Sequence, residues 1–222
     1  MQGPSSRRSL AGAALVAACA CLAAGPSPAE EAAELRGFRI GMAVSDLPSE
    51  GYTGFACGAR PETALDGWGG FRACPPDPAT GLREVRFRYD DAANPLARLH
   101  DRYAGTKVGG QPVLLSLLIG EGARVEGLRI RTDPGARLFE RKRAMLFGEQ
   151  VKNRYGEEGW TCTDAAPEAG EEPVGGVFIK EHCDKTTADR RFSLDRWLYR
   201  RAGEDLRRFS GGTAVTILRR GG

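Results

Sequence analysis

Val113-Leu114-Leu115-Ser116-Leu117-Leu118-Ile119 runs into Gly120-Glu121-Gly122 and then into Val125-Glu126-Gly127-Leu128-Arg129-Ile130-Arg131-Thr132. The first run is continuously apolar and of strand length, which predicts a strand buried on both faces. The glycine pair predicts a turn. The second run alternates, with Leu128 and Ile130 inward and Arg129 and Arg131 outward. Together they predict an antiparallel hairpin over 112–132, near the centre of a sheet of six to eight strands. The expected fold class is therefore α+β.

On the C-terminal side, Asp133-Pro134 offers an N-cap and a first-turn proline. The helix expected after it, about 134–155, stops at Gly156. Leu138, Phe139, Met145 and Leu146 make one apolar stripe, and Phe147, Val151 and Tyr155 make another. The stripes break near Gly148, which predicts either a kink or a helix wedged between two surfaces, with Lys142 snorkelling out of the first stripe. Thr213 to Leu218 reads as a final strand with Val215 and Ile217 on one face.

Flanking the hairpin and helix are two stretches that echo each other. The first holds Gly54-Phe55-Ala56-Cys57, a Gly/Pro-rich loop, Gly69-Gly70-Phe71-Arg72-Ala73-Cys74 and the strand-like Val85 to Tyr89. The second holds Gly159-Trp160-Thr161-Cys162, a Pro/Glu/Gly loop, Gly175-Gly176-Val177-Phe178 running on to Cys183, and Arg191 to Leu194. Of the six cysteines, Cys19 and Cys21 fall in the first 29 residues, and the remaining four allow three pairings. The echo selects Cys57–Cys74 and Cys162–Cys183, each closing a loop worth roughly 3 kcal/mol in the chain-entropy model. It also allows two diverged halves, about 35–95 and 135–222, within one domain of residues 30–222.

The first 29 residues predict the compartment. Arg7 and Arg8 precede a small apolar run, Leu10 to Ala24, which ends in Gly-Pro-Ser-Pro-Ala. That is the order of an export signal, and the run is short of the 20 or so residues of a membrane span. Ser6 to Leu10 resembles a twin-arginine motif, but the pair reads first as ordinary n-region charge. Val16-Ala17-Ala18-Cys19 resembles a lipobox that would lipidate Cys19; the competing cut follows Ala29. Export implies an oxidising periplasmic or secreted location and fits an even set of structural cysteines. The net charge of +3 falls to +1 without Arg7 and Arg8. So even a charge predicts no nucleic-acid partner, and no membrane contact beyond a lipid anchor. The run Arg137 to Arg143 reads as a solvated helix face.

Phe38-Arg39-Ile40-Gly41-Met42 followed by Ala43-Val44-Ser45-Asp46-Leu47-Pro48 predicts a strand, a Gly-Met turn and a short helix. This resembles the opening of small bacterial envelope modules of the SmpA/OmlA type, over Phe38 to Pro48, with Ala43 where those modules usually carry Thr or Ser. The resemblance implies a lipid-anchored assembly factor with two helices beside an antiparallel sheet, and it assigns no functional residue.

Catalytic and cofactor motifs are missing. There is no Gly-x-Ser-x-Gly elbow, phosphate-binding glycine loop, His-Glu-x-x-His or Cys-x-x-Cys. His100 and His182 stand far from partners in sequence. Cys162, His182, Cys183 and Asp184 form the nearest metal-like set, which a disulfide explains better. Asp90, Asp91 and Asn94 read as turn residues. The pairs Glu157-Glu158 and Glu171-Glu172 read as solvated loops. Trp160 is expected on its disulfide, and Trp197 in an amphipathic segment. Trp68, beside Phe71 in a glycine-rich loop, is expected to be exposed and to contact a partner. The expected function is a non-catalytic binding or assembly module for another envelope protein, with no cofactor and no metal. The alternatives are a periplasmic small-molecule or metal-binding accessory protein, or a hydrolase whose residues meet only in the fold.

Overall fold

The computed structural model describes Gly3, Leu35 and residues 37–89, 106–205 and 207–220. The signal segment with Cys19, the residues Asp90 to Asn94 and His100 lie outside the described residues.

The apolar run and its alternating neighbour form the hairpin that the sequence predicts, as β4 (Gln111–Ile119) and β5 (Val125–Thr132). Leu115 to Ile119 are all buried, and Leu128 and Ile130 face inward. The other strands are β1 (Tyr52–Cys57), β2 (Arg83–Tyr89), the two-residue β3 (Lys107–Val108), β6 (Thr161–Asp164), the two-residue β7 (Glu171–Glu172), β8 (Ile179–Thr186), β9 (Arg190–Arg201) and β10 (Ser210–Arg219). They make a ten-stranded sheet, more than expected, in the order β1-β2-β4-β5-β10-β9-β8-β6. Here β3 pairs with the start of β4, and β7 with the end of β9. All these pairings are antiparallel, and the hairpin's β5 lies against the final strand with Ile130 opposite Val215.

Alternation along each strand divides the sheet into two faces. On the inner face Phe87, Leu115, Ile130, Val215 and Leu194 follow one another across the register, all buried. One half of this face is covered by aromatics. Phe38, Tyr52, Trp68 and Phe87 pack with ring centroids 4.9–5.8 Å apart. The other half lies under a helical stretch made of α1 (Leu138–Arg143), a 3-10 turn (Ala144–Leu146) and α2 (Phe147–Arg154). Thr213 Oγ1 donates to the Ala144 carbonyl at 2.8 Å and fixes that turn on β10.

The helix departs from expectation in three ways. It begins at Leu138, because Asp133 Oδ1 accepts from Gly135 N at 2.7 Å and holds residues 133–136 in a turn. Its N-terminus is capped by Glu140, whose carboxylate accepts from Arg137 N at 3.1 Å. The break falls at 144–146, just before Gly148, where an added Cβ would meet the Arg196 side chain. The helix is kinked at that 3-10 turn rather than wedged between two surfaces: of the first stripe Met145 is half-buried, but Phe139 is 58% exposed, Leu138 40% and Leu146 42%. Lys142 is exposed along with it, so nothing is snorkelled through.

Both predicted disulfides are present, and they place the protein in an oxidising, non-cytoplasmic compartment. The echo behind them is not repeated in the structure. In the first stretch Gly69 to Ala73 lie in a 3-10 turn, Trp68–Ala73, so Cys57–Cys74 ties a strand end to a loop. Cys162 and Cys183 instead face each other across β6 and β8. Near the N-terminus only isolated bridges and a 3-10 turn, Val44–Asp46, occupy the Phe38–Pro48 stretch. It is sewn to the hairpin by Gly41 N to Val125 O (2.7 Å) and Val125 N to Met42 O (2.9 Å).

Candidate functional site

Trp68 and Phe71 are buried, at 6% and 3% exposure, so the expected exposed contact is corrected. The first staple holds a plug. Trp68 enters the aromatic cluster, 4.6 Å from Phe55 and 5.0 Å from Phe87 between centroids. Its Nε1 donates to the Pro48 carbonyl at 2.9 Å, which removes the cost of burying an indole N–H. A glycine-rich loop suggests exposure, but here the small residues let the chain turn a large ring inward.

The second staple has a different setting. It ties β6, the last strand of the sheet, to β8, and all four residues of β6 are exposed. Cys162 and Cys183 are directly opposed with Cα atoms 4.0 Å apart. Such closeness marks a non-hydrogen-bonded pair, in which N–H and C=O point away from the partner strand. Ala165 N donating to Lys180 O at 2.7 Å sets the same phase. Cys162 and Asp164 therefore turn their N–H and C=O groups toward the open side of β6. Among the described residues none of these four groups has a backbone partner. The opposite edge is treated differently: β1 is capped by Cys57 N to Thr63 O (3.1 Å) and Leu65 N to Phe55 O (2.9 Å).

Behind the open edge the sheet is braced. Glu181 on β8 accepts from Arg196 Nε at 2.7 Å and Nη2 at 2.9 Å, a bidentate pair between adjacent strands. Lys152 from α2 reaches the same carboxylate at 3.4 Å and Cys162 Sγ at 3.5 Å, and Arg196 also meets Glu149. Burial alone would raise the Glu181 pKa, but Arg196 and then Lys152 outweigh it and hold the carboxyl below its ordinary range. Buried Lys185 donates to the carbonyls of Tyr155 (2.7 Å) and Gly156 (2.8 Å), capping the helix C-terminus. Its Nζ also sits 5.5 Å over the Trp160 ring. Trp160 packs on Phe192 and donates to the Gly156 carbonyl at 2.9 Å.

On the outer face, exposed His182 stands between two carboxylates. Its Nδ1 is 2.7 Å from Asp195 and its Nε2 is 3.1 Å from Asp184. Asp195 first, and Asp184 with it, raise the His182 pKa. With both ring nitrogens taken by acids, His182 has no nitrogen left to activate a hydroxyl. The metal-like set is also taken apart, because His182 and Asp184 project from the face opposite Cys183. The donors that do gather are Cys162, Cys183 and Glu181, within 4.8 Å of one another, but the sulfurs are spent on the disulfide and the carboxylate on Arg196. Glu157 and Glu158 are exposed as expected, whereas Glu171 is buried in β7 and takes Lys180 at 3.3 Å.

The structural feature that sequence reasoning missed is the edge itself. Thr161-Cys162-Thr163-Asp164 is too short to announce a strand, and its position follows from the strand order alone. Neither family models, nor curated proteins, nor solved structures give a match to this chain.

Proposed function

We propose that this is a non-catalytic binding module of the periplasmic or secreted space, which takes an extended segment of another envelope protein as a further strand on β6. The observation that carries the reading is the contrast between the two sheet edges: β1 is capped, while β6 offers two N–H and two C=O groups outward and is stapled to β8. An added strand gains main-chain hydrogen bonds from such an edge, with alternate side chains supplying choice. Bracing by Cys162–Cys183 and by Lys152 lowers the ordering cost of the encounter.

The chemistry of the partner follows from what surrounds the edge. Exposed Glu157, Glu158, Asp164 and Asp184 make it acidic, which favours a segment bearing Lys or Arg. The test is capture from envelope extract with the intact protein and with Asp164→Pro. Proline removes the outward N–H while leaving the ladder to β8 untouched. Partners held by the parent and lost by Asp164→Pro, with circular dichroism unchanged, support strand addition. An identical set of partners on both proteins overturns it.

A further inference from the structure

The first half of the helical stretch leaves one side uncovered. At about 100° per residue along α1, Leu138, Lys142, Phe139 and Arg143 follow in angular order on a continuous arc, and the 3-10 turn brings Leu146 to its Arg143 side. Ala144, Phe147 and Val151, on the opposite side, are buried against the sheet. Leu138, Phe139 and Leu146 are three of the four large hydrophobic residues exposed among the described residues. A second basic segment lies beside them. Arg141 Nη2 donates to the Arg207 carbonyl at 3.4 Å, and the Arg141 guanidinium sits 5.2 Å over the Phe209 ring. Arg207 and Arg208 are exposed there. Among the described residues, no carboxylate forms an ion pair with Lys142, Arg143, Arg207 or Arg208. The near-neutral total charge conceals a local cationic field.

Three apolar side chains on a helix surface, interleaved and flanked by four cations whose charged groups form no ion pair among the described residues (the Asp205 carboxylate takes only the Arg207 backbone N–H, at 2.7 Å), have the composition of an interfacial helix. We propose that this arc docks the protein on the surface of an anionic phospholipid bilayer. Lys142, Arg143, Arg207 and Arg208 meet the lipid phosphates, and Leu138, Leu146 and Phe139 enter the headgroup–acyl boundary. No helix among the described residues is long and apolar enough to cross a membrane, so the contact lies in the interface plane. The arc is separate from the β6 edge, which Lys152 in the second half of the stretch braces, so either surface can fail without the other.

The test is flotation of the exported protein with phosphatidylcholine vesicles, with and without phosphatidylglycerol, at low and high salt. Two double variants accompany it: Lys142→Glu/Arg143→Glu and Leu138→Ser/Phe139→Ser, all four at exposed positions. Binding is expected only to vesicles holding phosphatidylglycerol and is expected to weaken with salt. Each cation is worth about fivefold near an anionic surface, so the charge variant is expected to bind at least about twentyfold more weakly. The serine variant is expected to lose binding as well, with the circular dichroism of both unchanged. No flotation with anionic vesicles, equal flotation with neutral ones, or parent-like flotation of the charge variant overturns the proposal. An acidic protein captured through the arc by a chain that ignores vesicles overturns it too.

Discussion

Glu181 carries the heaviest electrostatic load of any single residue near the open edge, since it receives both forks of Arg196 and the Lys152 ammonium. Glu181→Gln is expected to lower the unfolding free energy by about 2 kcal/mol, the scale of hydrogen bonds to charged groups; urea unfolding at neutral pH measures it. Because the folded-state pKa lies below the ordinary value of 4.5, the contribution is present above pH 4.5 and is lost as pH falls through the lowered value. Glu181→Gln is therefore expected to flatten the acid side of the stability profile. His182 behaves oppositely. Its folded pKa is raised above 6.5, so its contribution is complete below that pH and is lost as pH rises through the raised value. Asp195→Asn is expected to bring the His182 titration back toward 6.5, read by NMR of the imidazole. Little of this was legible in sequence. Alternation correctly turned Arg129 outward, yet it could not reveal that Asp77 and Glu84 fold over to receive it. Trp68 misled because glycine neighbours permit burial as readily as exposure.

Among elements, the seam between β5 and β10 has the least room for change. A Cβ on Gly127 would stand 2.6 Å from the Ile217 carbonyl oxygen and 2.7 Å from Leu218 Cδ2. Backbone cannot yield as a side-chain tip can, so Gly127→Ala is expected to cost about 1–3 kcal/mol by overpacking. Gly122→Ala, in the hairpin turn with nothing within 4 Å, is expected to be near neutral. Chemical denaturation of the pair measures the difference. The hairpin was readable because a long apolar run and an alternating run have one good joint solution. The helix was readable in existence and end but not in orientation. Its two stripes have the same composition, and only the sheet decides that Phe147 and Val151 go under while Leu138 and Phe139 stay out.

For the whole molecule, the two disulfides close loops of similar length, 17 and 21 residues apart in sequence, so chain entropy gives them nearly equal weight. Their surroundings differ. Cys57 and Cys74 are both buried, whereas Cys162 is exposed. Cys57→Ser/Cys74→Ser is expected to destabilise more than Cys162→Ser/Cys183→Ser, since it buries two hydroxyls in an apolar cluster. Mild reductant is expected to open Cys162–Cys183 first, as read by timed alkylation and mass mapping. The pairing of the cysteines came from an echo that the fold does not repeat, and strand order, which creates the open edge, has no local signature at all. The most direct test of strand addition is photocrosslinking in the producing cell from a probe at Thr163 on β6, against one at Glu62 beside the capped edge. Discrete adducts from Thr163 that vanish with Asp164→Pro, and none from Glu62, are expected. Adducts of equal yield from both positions, or none from Thr163, would contradict it.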